Sequence, residues 1–194
     1  VGSNGDSLTV AAGLPSWSSG GGGALTLLNS QTFTGSSTLT IDYTTGGLDA
    51  TDYQWLLIQF TGDNLNNNVS ACYFRLNTGL TASNYYQNGT ETAAGVGTSI
   101  VDKNPWGGSD DFIRLTDALA NAGSDTWNQE VWLMLPYSAQ DRTTLRYSGA
   151  SPSRYYAGAG QVTGLSGSID KISYEIQAGA AARDMQFTVY GVGY

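Results

Sequence analysis

Apolar and polar positions alternate with a period of two in several segments, which predicts strands that bury one face. Leu39, Ile41 and Tyr43 alternate with Thr38, Thr40 and Asp42. Ile172, Tyr174 and Ile176 alternate with Ser173, Glu175 and Gln177, and Met185, Phe187 and Val189 with Gln186, Thr188 and Tyr190. Ala71–Leu76 follows the same rule after a turn-rich loop at Asn64–Asn68. Two segments break it. Val131–Leu135 is continuously apolar until Pro136, and Tyr53–Phe60 is apolar on both faces, with Trp55 and Leu57 on one and Leu56, Ile58 and Phe60 on the other. A strand of that kind is covered twice, by its own core and by something else. In Asp111–Ala122 the residues Phe112, Leu115 and Leu119 have helical spacing, yet Phe112–Thr116 also fits a short strand; the reading leans to strand, followed by a helical turn. Many short strands separated by turns predict an all-β, antiparallel β-sandwich, and within that class a jelly roll.

Residues 1–23 differ from the rest. Leu8, Val10, Leu14 and Trp17 stand among small and polar residues, and the segment closes on Ser18-Ser19-Gly20-Gly21-Gly22-Gly23. A glycine run of this kind reads as a hinge. The expected organisation is therefore an N-terminal anchoring arm with a Gly hinge over 1–23, in which those four apolar residues make the assembly contacts, and a β-sandwich domain over 24–194.

Composition sharpens the strand reading. Charged residues are 12% of the chain, about half the usual ~25%. Long soluble helices, which need Glu, Lys and Arg on their exposed side, are therefore disfavoured. The formal net charge is -8 with eight basic residues, which argues against DNA or RNA as a partner, since phosphates need a basic face. Arg142, Arg146 and Arg154 are the closest basic cluster and read as a solvated loop. The one cysteine, Cys72, allows no intrachain disulfide and reads as a small core residue. No apolar run reaches the ~18 residues of a membrane helix, and Val1–Asp6 does not read as a signal peptide.

Candidate chemistry is sparse. The chain has no histidine, which removes Ser-His-Asp and Cys-His triads and nearly all zinc sites. No phosphate-binding Gly-x-x-x-x-Gly-Lys loop is present. A glycosidase needs only two carboxylates. Of Glu91, Glu130 and Glu175, Glu130 is the least expected on structural grounds, since it leads into the apolar Val131 run. Asp110-Asp111 and Asp49-x-x-Asp52 place carboxylates close together, as a calcium site or as turn caps. The remaining candidates are aromatics in loop-like surroundings: Tyr85, Tyr86, Trp106, Trp127, Tyr155 and Tyr156. Such rings stack on sugars, or pack under their loops or into a subunit contact. No cofactor is implied.

Two segments carry a resemblance. Gly2-Ser-Asn-Gly-Asp-Ser-Leu-Thr-Val10, followed by Gly13-Leu-Pro-Ser-Trp17, is similar to a segment of phage tail-fibre proteins. Phe33–Ile58, with Cys72–Leu76, Ile169–Ile172 and Phe187-Thr-Val-Tyr-Gly191, resembles a family of small bacteriophage virion proteins: capsid decoration (cement) or head- and tail-fibre proteins. Residues 77–130 match it least, as loops with particle-specific contacts would. The resemblance implies a jelly-roll-like fold, homotrimers, a place on the virion surface, and the major capsid protein or other virion proteins as partners. It brings no catalytic residues. The expected function is a non-enzymatic virion-surface structural protein. The alternatives are a receptor- or carbohydrate-binding fibre tip that uses the aromatics on host-surface glycan, and a glycan depolymerase that uses Glu130.

Overall fold

The computed structural model describes residues 6–11, 14–19, 25–35, 38–42, 53–65, 71–77, 80, 84–93, 112–116, 126–135, 142–151, 154–165, 168–176 and 182–193. Nearly all of them lie in thirteen antiparallel strands: β1 (Asp6–Ala11), β2 (Leu14–Ser19), β3 (Leu25–Thr34), β4 (Thr38–Asp42), β5 (Trp55–Leu65), β6 (Cys72–Leu76), β7 (Tyr85–Ala93), β8 (Ile113–Thr116), β9 (Thr126–Met134), β10 (Arg142–Ser151), β11 (Arg154–Thr163), β12 (Lys171–Ile176) and β13 (Ala182–Val192). The short run after Phe112 is thus a strand, and β5 continues through Asn64 and Leu65, where a loop was expected.

β1 and β2 pair as a hairpin, with Leu8 opposite Trp17 and Ala11 opposite Leu14. The other strands form a seven-stranded sheet, ordered β3-β13-β5-β9-β10-β11-β7, and a four-stranded sheet, ordered β4-β12-β6-β8. Eight of these strands reproduce the jelly-roll arrangement. Taking β3, β4, β5, β6, β8, β9, β12 and β13 in chain order, the large sheet runs first-eighth-third-sixth and the small sheet second-seventh-fourth-fifth. The sandwich expected from the sequence is the fold. Two excursions widen it. β7 leaves between β6 and β8, β10 and β11 leave between β9 and β12, and the three join to extend the large sheet.

The period-two pattern sends Leu56, Ile58 and Phe60 of β5, Val131 and Leu133 of β9, and Met185, Phe187 and Val189 of β13 into the sandwich. Leu39, Ile41, Phe74, Leu76, Ile172, Tyr174 and Ile176 of the small sheet meet them. Phe60 stands at the centre: its ring lies 4.1 Å from that of Tyr174 and 4.6 Å from that of Phe187. Trp127 also stacks on Tyr174, at 5.9 Å. Cys72 is buried and free, as expected of a small core residue. Burial, then the neighbouring Cys72 and Tyr156, pushes the Tyr174 hydroxyl well above its ordinary pKa.

The extension uses a different packing rule. Tyr156 lies across Gly149 and donates from its hydroxyl to the Asn128 carbonyl at 3.1 Å. Tyr147 lies across Gly158 and Gly89 on the next two strands. A Cβ on any of these glycines would collide with a tyrosine ring or hydroxyl. Glycines weaken a strand by themselves; here they make room for two large rings that supply the missing apolar cover.

Candidate functional site: the outer face of the large sheet

The two outer faces of the sandwich contrast sharply. On the small sheet Arg75 pairs with Glu175, Thr40 meets Ser173 at 3.3 Å, and Arg75 and Arg114 lie over the Phe112 ring. This is an ordinary solvated face.

The outer face of the large sheet is arranged in cross-strand rows fixed by the register. One row runs Leu27, Tyr190, Leu57, Trp132, Arg146. The next holds Leu25, Val192, Trp55 and Met134. Eight apolar side chains from β3, β13, β5 and β9 therefore share one end of this face. Leu25 and Leu27 are 52% and 58% exposed. Leu57 is buried, set in its row between Tyr190 and Trp132. With strands ~4.8 Å apart and same-face residues ~6.8 Å apart, the patch covers about 19 by 14 Å.

A bulge completes it. The register of β3 against β13 shifts between Val189 and Tyr190: Asn29 is opposite Val189, but Leu27 is opposite Tyr190. The extra residue, Leu28, packs against the core. Without this shift, Leu25 and Leu27 would fall on the inner face, because a one-residue slip reverses every side chain. The bulge re-aims two leucines outward, as bulges beside functional surfaces do.

The other end of the same face is polar. One row is Ser30, Thr188, Gln59, Glu130, Ser148, Ala157, Thr90, and the next is Thr32, Gln186, Thr61, Asn128, Ala150, Tyr155. Two adjoining hollows, of ≈ 670 Å³ and ≈ 330 Å³, lie here and share Thr61, Asn128 and Ala150. Ser148 donates from its hydroxyl to the Glu130 carboxylate at 3.1 Å. Thr34 does the same to Asp184 at 2.8 Å.

Of the aromatic candidates, Tyr85, Trp127 and Tyr156 are buried strand residues, at 4%, 3% and 1% exposure, and the expectation of loop surroundings is corrected for them. The Tyr85 hydroxyl donates to the Leu76 carbonyl at 3.0 Å and accepts from its amide, which ties the two sheets together. Tyr86 is half-buried on β7, and Tyr155 is exposed on β11, so these two also stand on strands. Trp106, Asp49, Asp52, Asp110 and Asp111 lie outside the described residues. The arm residues Leu8, Val10, Leu14 and Trp17 are placed only by their backbone, in the β1–β2 hairpin. Arg142 and Arg146 stand exposed on the outer face of β10, not in a loop. Glu175 is held by Arg75. From Glu130, Asp184 is two strands and four residues away, roughly 17 Å between Cα atoms by sheet spacing. That is well beyond the ~5–9.5 Å of a glycosidase carboxylate pair. Among the described residues no group of three metal-ligating side chains occurs. The sequence put Trp55 and Leu57 on one face of a strand expected to be covered on both, without saying which face the core takes; it gave no sign that Leu25, Leu27, Trp132 and Tyr190 would join them.

No family model matches the chain, and no curated protein matches it. Among solved structures, the marine PL-14 alginate lyase from Aplysia kurodai is 8% identical, with a TM-score of 0.27, over 73% of this chain and 69% of the lyase. The infectious bursal disease virus Gx strain structure is 11% identical, with a TM-score of 0.17, over 96% of this chain and 46% of that one. The VP2 subviral particle of the same virus gives 10% and 0.16, over 96% and 45%. These scores are too low to bear on what the chain does.

Proposed function

We propose that this chain is a non-enzymatic structural protein of a bacteriophage particle, a jelly-roll module that self-associates, as a homotrimer, through the apolar end of the large sheet's outer face. The observation that carries the reading is that patch: eight apolar side chains in register on four strands, facing away from the core. An apolar patch of a few hundred Å² is ordinary in size for a monomer and often functional, and its aromatic members are the side chains that anchor interfaces. Its area, about 270 Å² from the sheet spacing, is roughly a third of the ~800 Å² that a standard interface buries on each partner. The patch is then the centre of the contact, and surrounding polar surface or the β1–β2 hairpin supplies the rest. The phage assignment is supported by the Gly2–Trp17 and Phe187–Gly191 resemblances, and the jelly-roll topology accords with it. In this reading the arm attaches to the particle and the sandwich packs against its copies.

The test is co-sedimentation with particles that lack the protein. The full chain is expected to bind, and a chain lacking Val1–Gly23 to remain folded and stay in the supernatant. Wild-type occupancy by the truncated chain contradicts the arm's role, and failure of the full chain to bind any particle contradicts the virion role.

A further inference from the structure

We infer that the polar end of the large sheet's outer face is a binding site for a neutral oligosaccharide, lying across the strands with Tyr155 as its stacking platform. The site uses residues distinct from the apolar patch and does not rest on the assembly reading.

Three observations carry it. First, the two hollows run together across the sheet. From Thr32 on β3 to Tyr155 on β11 is five strand intervals, ~24 Å, a length suited to a chain of several sugar units. Second, the lining is amides, hydroxyls and a carboxylate: Gln59, Thr61, Asn128, Glu130 and Ser148. Donors and acceptors of these kinds match sugar hydroxyls. Third, Tyr155 is 57% exposed, the one exposed aromatic among the large apolar residues so described. Its partner across the strands on β10 is Ala150, too small to cover the ring. A ring with an apolar face and a polar tip, bordered by polar groups, suits a ligand whose own surface alternates C–H faces and hydroxyls.

Charge selects among saccharides. Among the described residues, no Lys or Arg lines either hollow, whereas Asp184 lines the larger and Glu130 the smaller, and the chain carries a net charge of -8. A uronate, sulfate or phosphate group entering here meets like charge at the Glu130 or Asp184 carboxylate. A peptide strand is a poor fit as well, because the hollows run across the face of the sheet over strands already paired with one another, whereas strand addition needs free main-chain groups.

The experiment is saturation-transfer NMR and titration calorimetry on the full chain. The panel is maltotetraose, cellotetraose and chitotetraose, with tetramannuronate as the acidic arm. At least one neutral tetrasaccharide is expected to bind and tetramannuronate not to. Tyr155→Ala should weaken that binding tenfold or more and Glu130→Ala at least fivefold, while Trp132→Glu leaves it unchanged. Thermal unfolding checks that each variant is folded; if Tyr155→Ala is not, Ala150→Trp, which fills the hollow beside the ring, takes its place. No binding by any neutral member, preference for tetramannuronate, or wild-type affinity in the folded Tyr155 or Ala150 variant overturns the site. A wild-type chain that binds saccharide yet stays monomeric at every concentration sinks the assembly reading alone.

Discussion

The apolar and polar ends of the large sheet's outer face share strands, pleat and register, yet differ row by row. On β5 the division falls between Leu57 and Gln59, on β9 between Trp132 and Glu130, and on β13 between Tyr190 and Thr188. Folding does not demand this division. The inner face already supplies the core, with Ile58, Phe60, Val131 and Phe187 fully buried, and a solvated outer face of the small sheet's kind serves an isolated sandwich well. Apolar side chains kept in register on a face the core does not use point to a partner, and the bulge at Leu28 extends the patch to the edge strand.

The largest expected effect separates the two faces of one strand. Ile58→Ala removes fully buried volume from the core and should cost about 2–5 kcal/mol of stability by denaturant unfolding, whatever the protein concentration. Leu57→Ala, one residue away on the outer face, should cost less in dilute protein and more as concentration rises, because its cover comes partly from a neighbouring copy. Equal, concentration-independent losses at both positions break the distinction.

Gly158→Ala tests the backing of the polar end. A methyl there meets the Tyr147 hydroxyl and also the Tyr147 ring and the Asn88 carbonyl, so about 1–3 kcal/mol should be lost, of which only the hydroxyl's share is recoverable by removing it. Gly158→Ala together with Tyr147→Phe should recover part of it, measured as a coupling energy in a double-mutant cycle.

The dryness of the inner face has a pH signature. Tyr174 resists ionisation because it is buried and lies near Cys72 and Tyr156. An unfolded tyrosine ionises near pH 10. The stabilising difference is therefore complete below pH 10, and stability falls as pH rises above it towards the higher folded pKa. The slope from this group is about 1.4 kcal/mol per pH unit. Urea unfolding between pH 9 and 11 should show that slope and show less of it in Tyr174→Phe; an unchanged slope in the variant contradicts the assignment.

The smallest effect is at the polar end. Thr61→Val on the exposed outer face should change monomer stability by no more than about 0.5 kcal/mol, while adding an apolar side chain to the polar end, two rows from Leu57. Chemical denaturation of dilute protein checks the first part, and light scattering at high concentration, which should rise, checks the second.

Much of the inner face was legible in the sequence because it obeys a period of two: β4, β6, β12 and β13 alternate cleanly, and each buries its described apolar residues, Tyr43 lying outside the described residues. β5 announced two covered faces. β7, β10 and β11 were not legible. Their glycines read as turns, since a sequence does not show that Tyr147 and Tyr156 from neighbouring strands lie over Gly89, Gly149 and Gly158. For the same reason Tyr85 and Tyr156 read as loop aromatics when they are core. The polar trough was invisible because it exists only as a cross-strand arrangement; Glu130 and Tyr155 were singled out separately, and the register brings them to adjoining rows of one face.

The claim that the apolar end is a subunit interface is tested most directly by sedimentation velocity of the full chain across a hundredfold concentration range, beside Trp132→Glu. The wild type is expected to sediment as a trimer or larger species and to dissociate on dilution, and the variant to remain a folded monomer throughout. A wild type that stays monomeric at the highest concentration, or a variant that associates as the wild type does, contradicts it.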